Sequence, residues 1–212
     1  MAGDRTIRHP IFARVFDRFA SKDEERGQAE LRRELLAGLS GRVVEVGAGN
    51  GLNFPHYPTT VEELVAVEPE TYLRERAVEA ARAAPVPIQI TDGLAGSLPL
   101  DDASFDAVVV SGVLCSVPDQ ESALADFKRV LRPGGELRFY EHVRAPGTVR
   151  ARMQDAVDVV WPRLMGGCHP NRDTLAAIER AGFLVEHVRG FRFPPTARVS
   201  VVAPRILGVA RR

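Results

Sequence analysis

The chain has 212 residues, 45% of them hydrophobic and 26% charged, proportions of a globular protein long enough for one good core and short for two. Its 28 Lys and Arg balance 28 Asp and Glu with no basic stripe, which argues against a nucleic-acid partner, and Arg32-Arg33 and Arg211-Arg212 read as solvated faces. No apolar run approaches the ~20 residues of a membrane span, the start lacks a secretory h-region, and two cysteines make no disulfide framework, so a reduced cytoplasm is expected.

Residues 11–39 read as one or two helices, with Phe12, Val15, Phe16 and Phe19 and then Leu31, Leu35, Leu36 and Leu39 at helical spacing. From there strands and helices alternate. Residues 42–46 form a short β-branched run ending in glycines, and 64–67 form another ending in Glu68-Pro69. A helix over 72–84 is stopped by Pro85 and Pro87. Residues 86–90 make a third strand, closing on Asp92-Gly93, and 105–110 a continuously apolar fourth, as expected for a strand buried on both faces. A helix starting at Asp119 stops at Pro133-Gly134-Gly135, and 137–140 make the fifth strand. Helices at 149–160 and 172–181 and strands near 184–189 and 206–210 complete the chain. The pattern predicts a single α/β domain over 1–212: a Rossmann-like, doubly wound parallel sheet, with residues 1–40 as a helical cap over the active site.

In such a sheet, ligands bind beyond the carboxyl ends of the strands where the winding reverses. The first strand ends in Glu45-Val46-Gly47-Ala48-Gly49-Asn50-Gly51, where glycines permit a tight turn and close approach to the backbone. The spacing is G-x-G-x-G rather than the G-x-G-x-x-G of dinucleotide sites. A carboxylate just ahead of it repels a pyrophosphate but suits the ammonium of a methionine moiety. Glu68, with Pro69 beside it, is placed to accept ribose hydroxyls, and Asp92-Gly93 to meet an adenine. The fourth strand end, with Ser111, Gly112 and Cys115, offers backbone to the methionine part, and Asn53 either bonds the cofactor carboxylate or caps a helix. Capping is the alternative role for Glu45 and Asp92.

These residues resemble the class I S-adenosylmethionine-dependent methyltransferases of the ubiquinone/menaquinone-methylase-like type. EVGAGNG (45–51), VAVEP (65–69), FDAVVVSGVLCSVPD (105–119) and RVLRPGG (129–135) are similar to successive motifs of that family. GLNFPHYP (51–58), VLCSVPDQ (113–120), RVLRPGGELRFYEHV (129–143) and GGCHPNRDTLAAIERAGF (166–183) further resemble methyltransferase-like proteins whose animal members are thiol S-methyltransferases. The resemblance implies S-adenosylmethionine as cofactor, a seven-stranded sheet whose seventh strand is antiparallel and lies beside the fifth, and a small-molecule acceptor. A thiol is the first candidate, and a phenol, a quinone-like ring or a lipid amine are the alternatives. The animal members' hydrophobic N-terminal anchor is replaced here by the polar IRHPIFARVFDRFA (7–20), so membrane residence is not expected.

Methyl transfer from a sulfonium to a hydroxyl needs a positioned base, whereas a thiol needs little help. The candidate bases are His142 after the fifth strand, with Glu141 turned the other way, His56 after the glycine loop, and His169 in Gly166-Gly167-Cys168-His169-Pro170. Cys168-His169 has no matching second pair, so no metal is expected. Trp161, Phe12, Phe16, Phe19, Phe191 and Phe193 are candidates for an apolar acceptor cavity. A nicotinamide-dependent oxidoreductase and a cofactor-binding protein without turnover are the competing readings.

Overall fold

The computed structural model describes residues 10–197 and 200–212; the side chains of 10, 11, 19–23 and 25, Phe19 among them, lie outside the description. Seven strands form one sheet: β1 (Gly41–Val46), β2 (Val61–Val67), β3 (Ile88–Thr91), β4 (Phe105–Ser111), β5 (Leu131–His142), β6 (Leu184–Arg192) and β7 (Pro204–Arg211). Their order is β3-β2-β1-β4-β5-β7-β6. β1 through β5 pair in parallel, and β7 runs antiparallel to both β5 and β6. The winding goes outward from β1 to β3 and then restarts at β4, which puts the crevice at the carboxyl ends of β1 and β4.

The central strands carry buried β-branched residues on both faces, and alternate residues feed different cores. Val44, Val46, Val108 and Val110 pack with α4 (Gln120–Val130) and α7 (Thr174–Arg180), whereas Val43, Ala107 and Val109 pack with α2 (Ala29–Leu36) and α3 (Thr71–Ala81). Phe54, Phe105, Phe127 and Phe139 are fully buried, each worth about 2–3 kcal/mol of hydrophobic transfer. Side chains fix the helix starts: Asp119 accepts from the amides of Glu121 and Ser122, Asp173 from Ala176, and Glu70 from Leu73, each cap worth about 1 kcal/mol.

Three details differ from the sequence expectation. β3 begins at Ile88 rather than Val86 because Pro87 has no N–H for the ladder; its carbonyl still accepts from Leu64. A short helix, α6 (Trp161–Leu164), follows α5 (Thr148–Asp158), and a 3-10 turn spans Phe54–His56; both are too short for a periodic signal. Arg32 is buried instead of solvated: its guanidinium bonds Glu24 and the side-chain oxygen of Asn53. Among the described residues no helix is long and apolar enough to cross a membrane.

Candidate active site

The chain leaves β1 at Val46 and turns through three glycines with positive φ, Gly47 (70°), Gly49 (59°) and Gly51 (83°). The amides of Gly47 and Ala48 donate to the Val67 carbonyl at 2.8 and 3.1 Å. A Cβ on Gly47 would lie 2.5 Å from Val113, and one on Gly51 2.7 Å from the Phe54 ring, so both positions require glycine by space as well as by φ. The Gly49 amide donates to Glu68 Oε2 at 2.8 Å, tying the first strand end to the second, and Glu68 Oε1 accepts from the Glu70 amide at 2.9 Å. Burial raises the Glu68 pKa against the two amides that lower it. Arg74 bonds the carbonyls of Glu68 and Pro69 and reaches Asp92 at 3.3 Å, where the Asp92 carboxylate is exposed. Gly93 packs against Pro99 and Val67 with no room for a Cβ.

Glu45 lies beneath this loop. It is buried, accepts from Asn53 Nδ2 at 2.7 Å and from the Tyr57 hydroxyl at 2.8 Å, and caps no helix. Burial raises its pKa to about 7 against both hydrogen bonds. Asn53 in turn accepts from Arg32 at 2.7 Å and makes no side-chain cap. Asn50 donates to Asp17 on α1 (Pro10–Asp23).

At the other side of the crevice, Gly112 follows Ser111 with φ 73° and open space where a Cβ would be. The amides of Val113, Leu114 and Cys115 all donate to the buried Glu141 carboxylate, at 2.9, 2.9 and 3.0 Å. Burial pushes the Glu141 pKa well up while these amides pull it down. Glu141 therefore shapes the β4 loop, a role its neighbour His142 does not share.

His142 and His169 stand at this side of the sheet. His142 Nδ1 lies 3.4 Å from Cys115 Sγ and 3.7 Å from Cys168 Sγ, and its Nε2 is hydrogen-bonded to the guanidinium Nη1 of Arg205. Burial, with the Arg205 charge beside it, lowers its pKa. His169 holds Nδ1 against the Asp158 carboxylate at 2.9 Å, and its amide donates to the Cys115 carbonyl at 2.7 Å. His56 sits on the other flank of the glycine loop, among Glu24, Arg33 and Arg32, its pKa lowered by burial. Phe16 is the nearest side chain to a Cβ on Gly49, at 3.6 Å, and Phe12 crowds Gly166, so α1 bridges the glycine loop and the 166–167 turn. Phe191 stacks on Tyr140, and Arg205 lies over Tyr140 and Phe193.

A methyltransferase-domain family matches residues 44–139. Thiol S-methyltransferase TMT1B of Mus musculus is 35% identical over 210 residues, 95% of this chain and 84% of the relative. The chain belongs to the S-adenosylmethionine-dependent methyltransferases. Human thiol S-methyltransferase TMT1A is 34% identical over 195 residues, 86% of this chain and 78% of that one. An S-adenosylmethionine-dependent methyltransferase from Mesorhizobium loti shares the fold, with TM-score 0.63 and 22% identity over 88% of this chain and 98% of that one.

In this methyltransferase the strand-end glycines and carboxylates meet at the crevice, and Glu68 and Gly49 are bonded directly. Sequence reasoning missed Tyr57, Asp158 and Arg205, and for Glu141 it read the orientation but not the bonds to three amides. The alternation of β5 turns Glu141 opposite to His142, as expected, but the β4-loop amides it meets carry no local signal. For Tyr57 the signal was the i+12 distance from Glu45 across a turn. Arg205 and Asp158 carry no local signature, because only the register of β7 and the end of α5 bring them here. Cys168-His169 has no second ligand pair beside it in sequence, but Cys115, His142 and Cys168 come from three segments and their ligand atoms lie within 4.8 Å of one another.

Proposed function

We propose that this methyltransferase methylates the sulfur of a small, largely apolar thiol. The observation that carries the reading is the condition of His142. A guanidinium only donates, so it takes up the lone pair of Nε2; Nδ1 then keeps the proton and points at the two cysteines. The residue best placed to be a base is thereby withdrawn from base chemistry. A nucleophile that ionises by itself suits such a site: a thiol of pKa near 8.5 is already a few per cent thiolate at neutral pH, about what sulfur chemistry needs. The relatives named thiol S-methyltransferases favour the same acceptor.

When bound, the cofactor supplies a methyl group on a sulfonium, open to in-line displacement. The residues fit it. Bare backbone at 47–51 and at Gly112, where a Cβ would meet nothing within 4 Å, leaves room for the methionine part along with Ala48, Asn50, Ser111 and Cys115. Glu68, beside Pro69, would accept the ribose hydroxyls, and Asp92 and Gly93 would meet the adenine. Glu45 and Asn53 would hold the loop from beneath. Phe12, Phe16, Trp161 and Phe193 wall the acceptor and exclude water, α1 acting as a cap on one continuous domain. His169, oriented by Asp158, is the residue that accepts the thiol's proton when the thiolate is not already formed; His56, on the far flank, is not used. A reducing, cytoplasmic setting belongs to the same reading, since the acceptor must stay a free thiol.

The test offers methyl-labelled S-adenosylmethionine together with alkyl and aromatic thiols, their oxygen analogues, phenols, quinols and lipid amines. Thiols should be labelled at least about 10²-fold faster than their oxygen analogues, whose hydroxyls stay un-ionised at neutral pH. Comparable or faster labelling of oxygen, nitrogen or carbon acceptors overturns the proposal.

A further inference from the structure

Four side chains from four separate segments meet behind the β4 loop: Cys115, His142 at the end of β5, Cys168 after α6, and Arg205 on β7. The two sulfurs are 3.7 Å apart and both cysteines are free and buried. The geometry points to Cys115 and Cys168 as an oxidation site, a reversible dithiol–disulfide pair in which Cys168 reacts first and Cys115 resolves it.

The order follows from the burial and surroundings of the two sulfurs. Arg205 fixes the His142 tautomer, so that Nδ1–H faces both sulfurs. Cys168 is the less deeply buried of the two, 6% exposed against 1% for Cys115, and its Sγ lies 3.7 Å from Cys115 Sγ, with a further hydrogen bond from Trp161. Negative charge therefore gathers on Cys168, whose pKa is lowered, first by the Cys115 hydrogen bond. The Cys115 thiol is pushed up to about 12 by that bond and by burial. A thiolate is the form that reacts.

The backbones are already in contact. The His169 amide donates to the Cys115 carbonyl at 2.7 Å, and a Cβ on Gly167 (φ +87°) would stand 2.8 Å from the Ser116 carbonyl. Closing the sulfur gap to the ~2.05 Å of a disulfide is therefore a matter of side-chain rotation. The same trio could be read as a metal site. A histidine that ligates through Nδ1, however, hands its Nε2–H to an acceptor, and here that nitrogen faces a guanidinium, which accepts nothing.

The oxidant is a hydroperoxide. The Cys168 thiolate attacks its terminal oxygen, the O–O bond breaks, and a sulfenic acid forms with release of hydroxide or alkoxide. The Cys115 sulfur then attacks Cys168 Sγ, the S–S bond forms, the S–O bond breaks, and water leaves with the Cys115 proton. The dithiol loses two electrons and the peroxide gains them; excess small thiol reverses the reaction by exchange. The disulfide ties the loop held by Glu141 to the turn after α6 and so fixes the spacing between the two walls of the crevice. None of this depends on the acceptor being a thiol.

The test treats the full reduced chain with hydrogen peroxide, blocks remaining thiols by alkylation, and maps the peptides by mass spectrometry. The expected product is one intramolecular link joining Cys115 to Cys168, formed at equimolar protein in the wild type, lost on dithiothreitol treatment and absent from Cys115→Ser and Cys168→Ser. In Cys115→Ser the oxidation should stop at a sulfenic acid on Cys168, trapped by dimedone. Unreacted thiols, links between chains, dimedone on Cys115 instead of Cys168, or one zinc per chain that survives dialysis and masks both thiols would each overturn the assignment.

Discussion

Arg205 and His142 are opposed across the antiparallel β5–β7 pairing, their Cα atoms partnered in register and the guanidinium set against Nε2 of the ring. A donor-only cation on one ring nitrogen and sulfur on the other leave the imidazole no lone pair facing a substrate. His142→Ala should therefore lower kcat/KM for a thiol acceptor by less than about tenfold, against the 10²–10⁴ of a lost general base. Steady-state kinetics of the variant, with its thermal stability measured alongside, checks this.

The bond between the Gly49 amide and Glu68 makes a second expectation concrete. Calorimetric titration with S-adenosylhomocysteine should show at least about 100-fold weaker binding in Glu68→Ala, roughly 2.7 kcal/mol for lost charge-assisted hydrogen bonds. Gly49→Val, at φ 59° and facing Phe16, should bind no better. Unchanged affinity in both variants would remove the cofactor from this crevice.

The sheet was legible because β-branched runs ending in glycine or acid carry a strong local signal: residues 42–46, 64–67 and 105–110 all lie within strands of the structure. Glu45 was legible as a position but not as a partner. Its bonds to Asn53 and Tyr57 depend on how the 3-10 turn folds back under the loop. Arg32 looked like a solvated charge because the pattern of α2 is apolar at Leu31, Leu35 and Leu36; its burial comes from the Glu24 and Asn53 contacts, which are tertiary. The sulfur–imidazole–guanidinium cluster was invisible for the same reason. Its members are 26 to 63 residues from His142 in sequence, and only the crossing of β5, β7 and two loops assembles them.

Glu45 gives a pH dependence of stability. Its pKa rises from 4.5 to about 7 on folding, so between those values the folded chain keeps a proton that the unfolded chain has lost. Its contribution is whole below pH 4.5 and is lost as pH rises through 7, a swing on the order of 3 kcal/mol. Glu45→Gln removes the titration. Thermal melts from pH 4.5 to 8 should show the variant gaining on the wild type as pH rises; parallel curves would contradict the buried, proton-binding carboxylate.

Glu141 holds three backbone amides with one carboxylate. Glu141→Gln turns an amide donor toward some of those N–H groups and should destabilise the fold by about 2–3 kcal/mol, a fall of roughly 5–10 °C in Tm for a chain this size. Binding of S-adenosylhomocysteine should weaken with it, because the β4 loop loses its anchor. A Tm within a degree of wild type would mean that the loop is held by something else.

The most direct measurement of the central claim is kcat/KM against pH for a series of thiol acceptors whose own pKa values span two units or more. If the acceptor brings its own ionisation, the rate rises with pH to a plateau and the midpoint moves with the acceptor's pKa, in the wild type and in His142→Ala alike. His169→Ala then loses about tenfold at neutral pH and recovers above the thiol pKa. A midpoint that stays fixed near an imidazole value whatever the thiol, and vanishes in His142→Ala, would contradict the account.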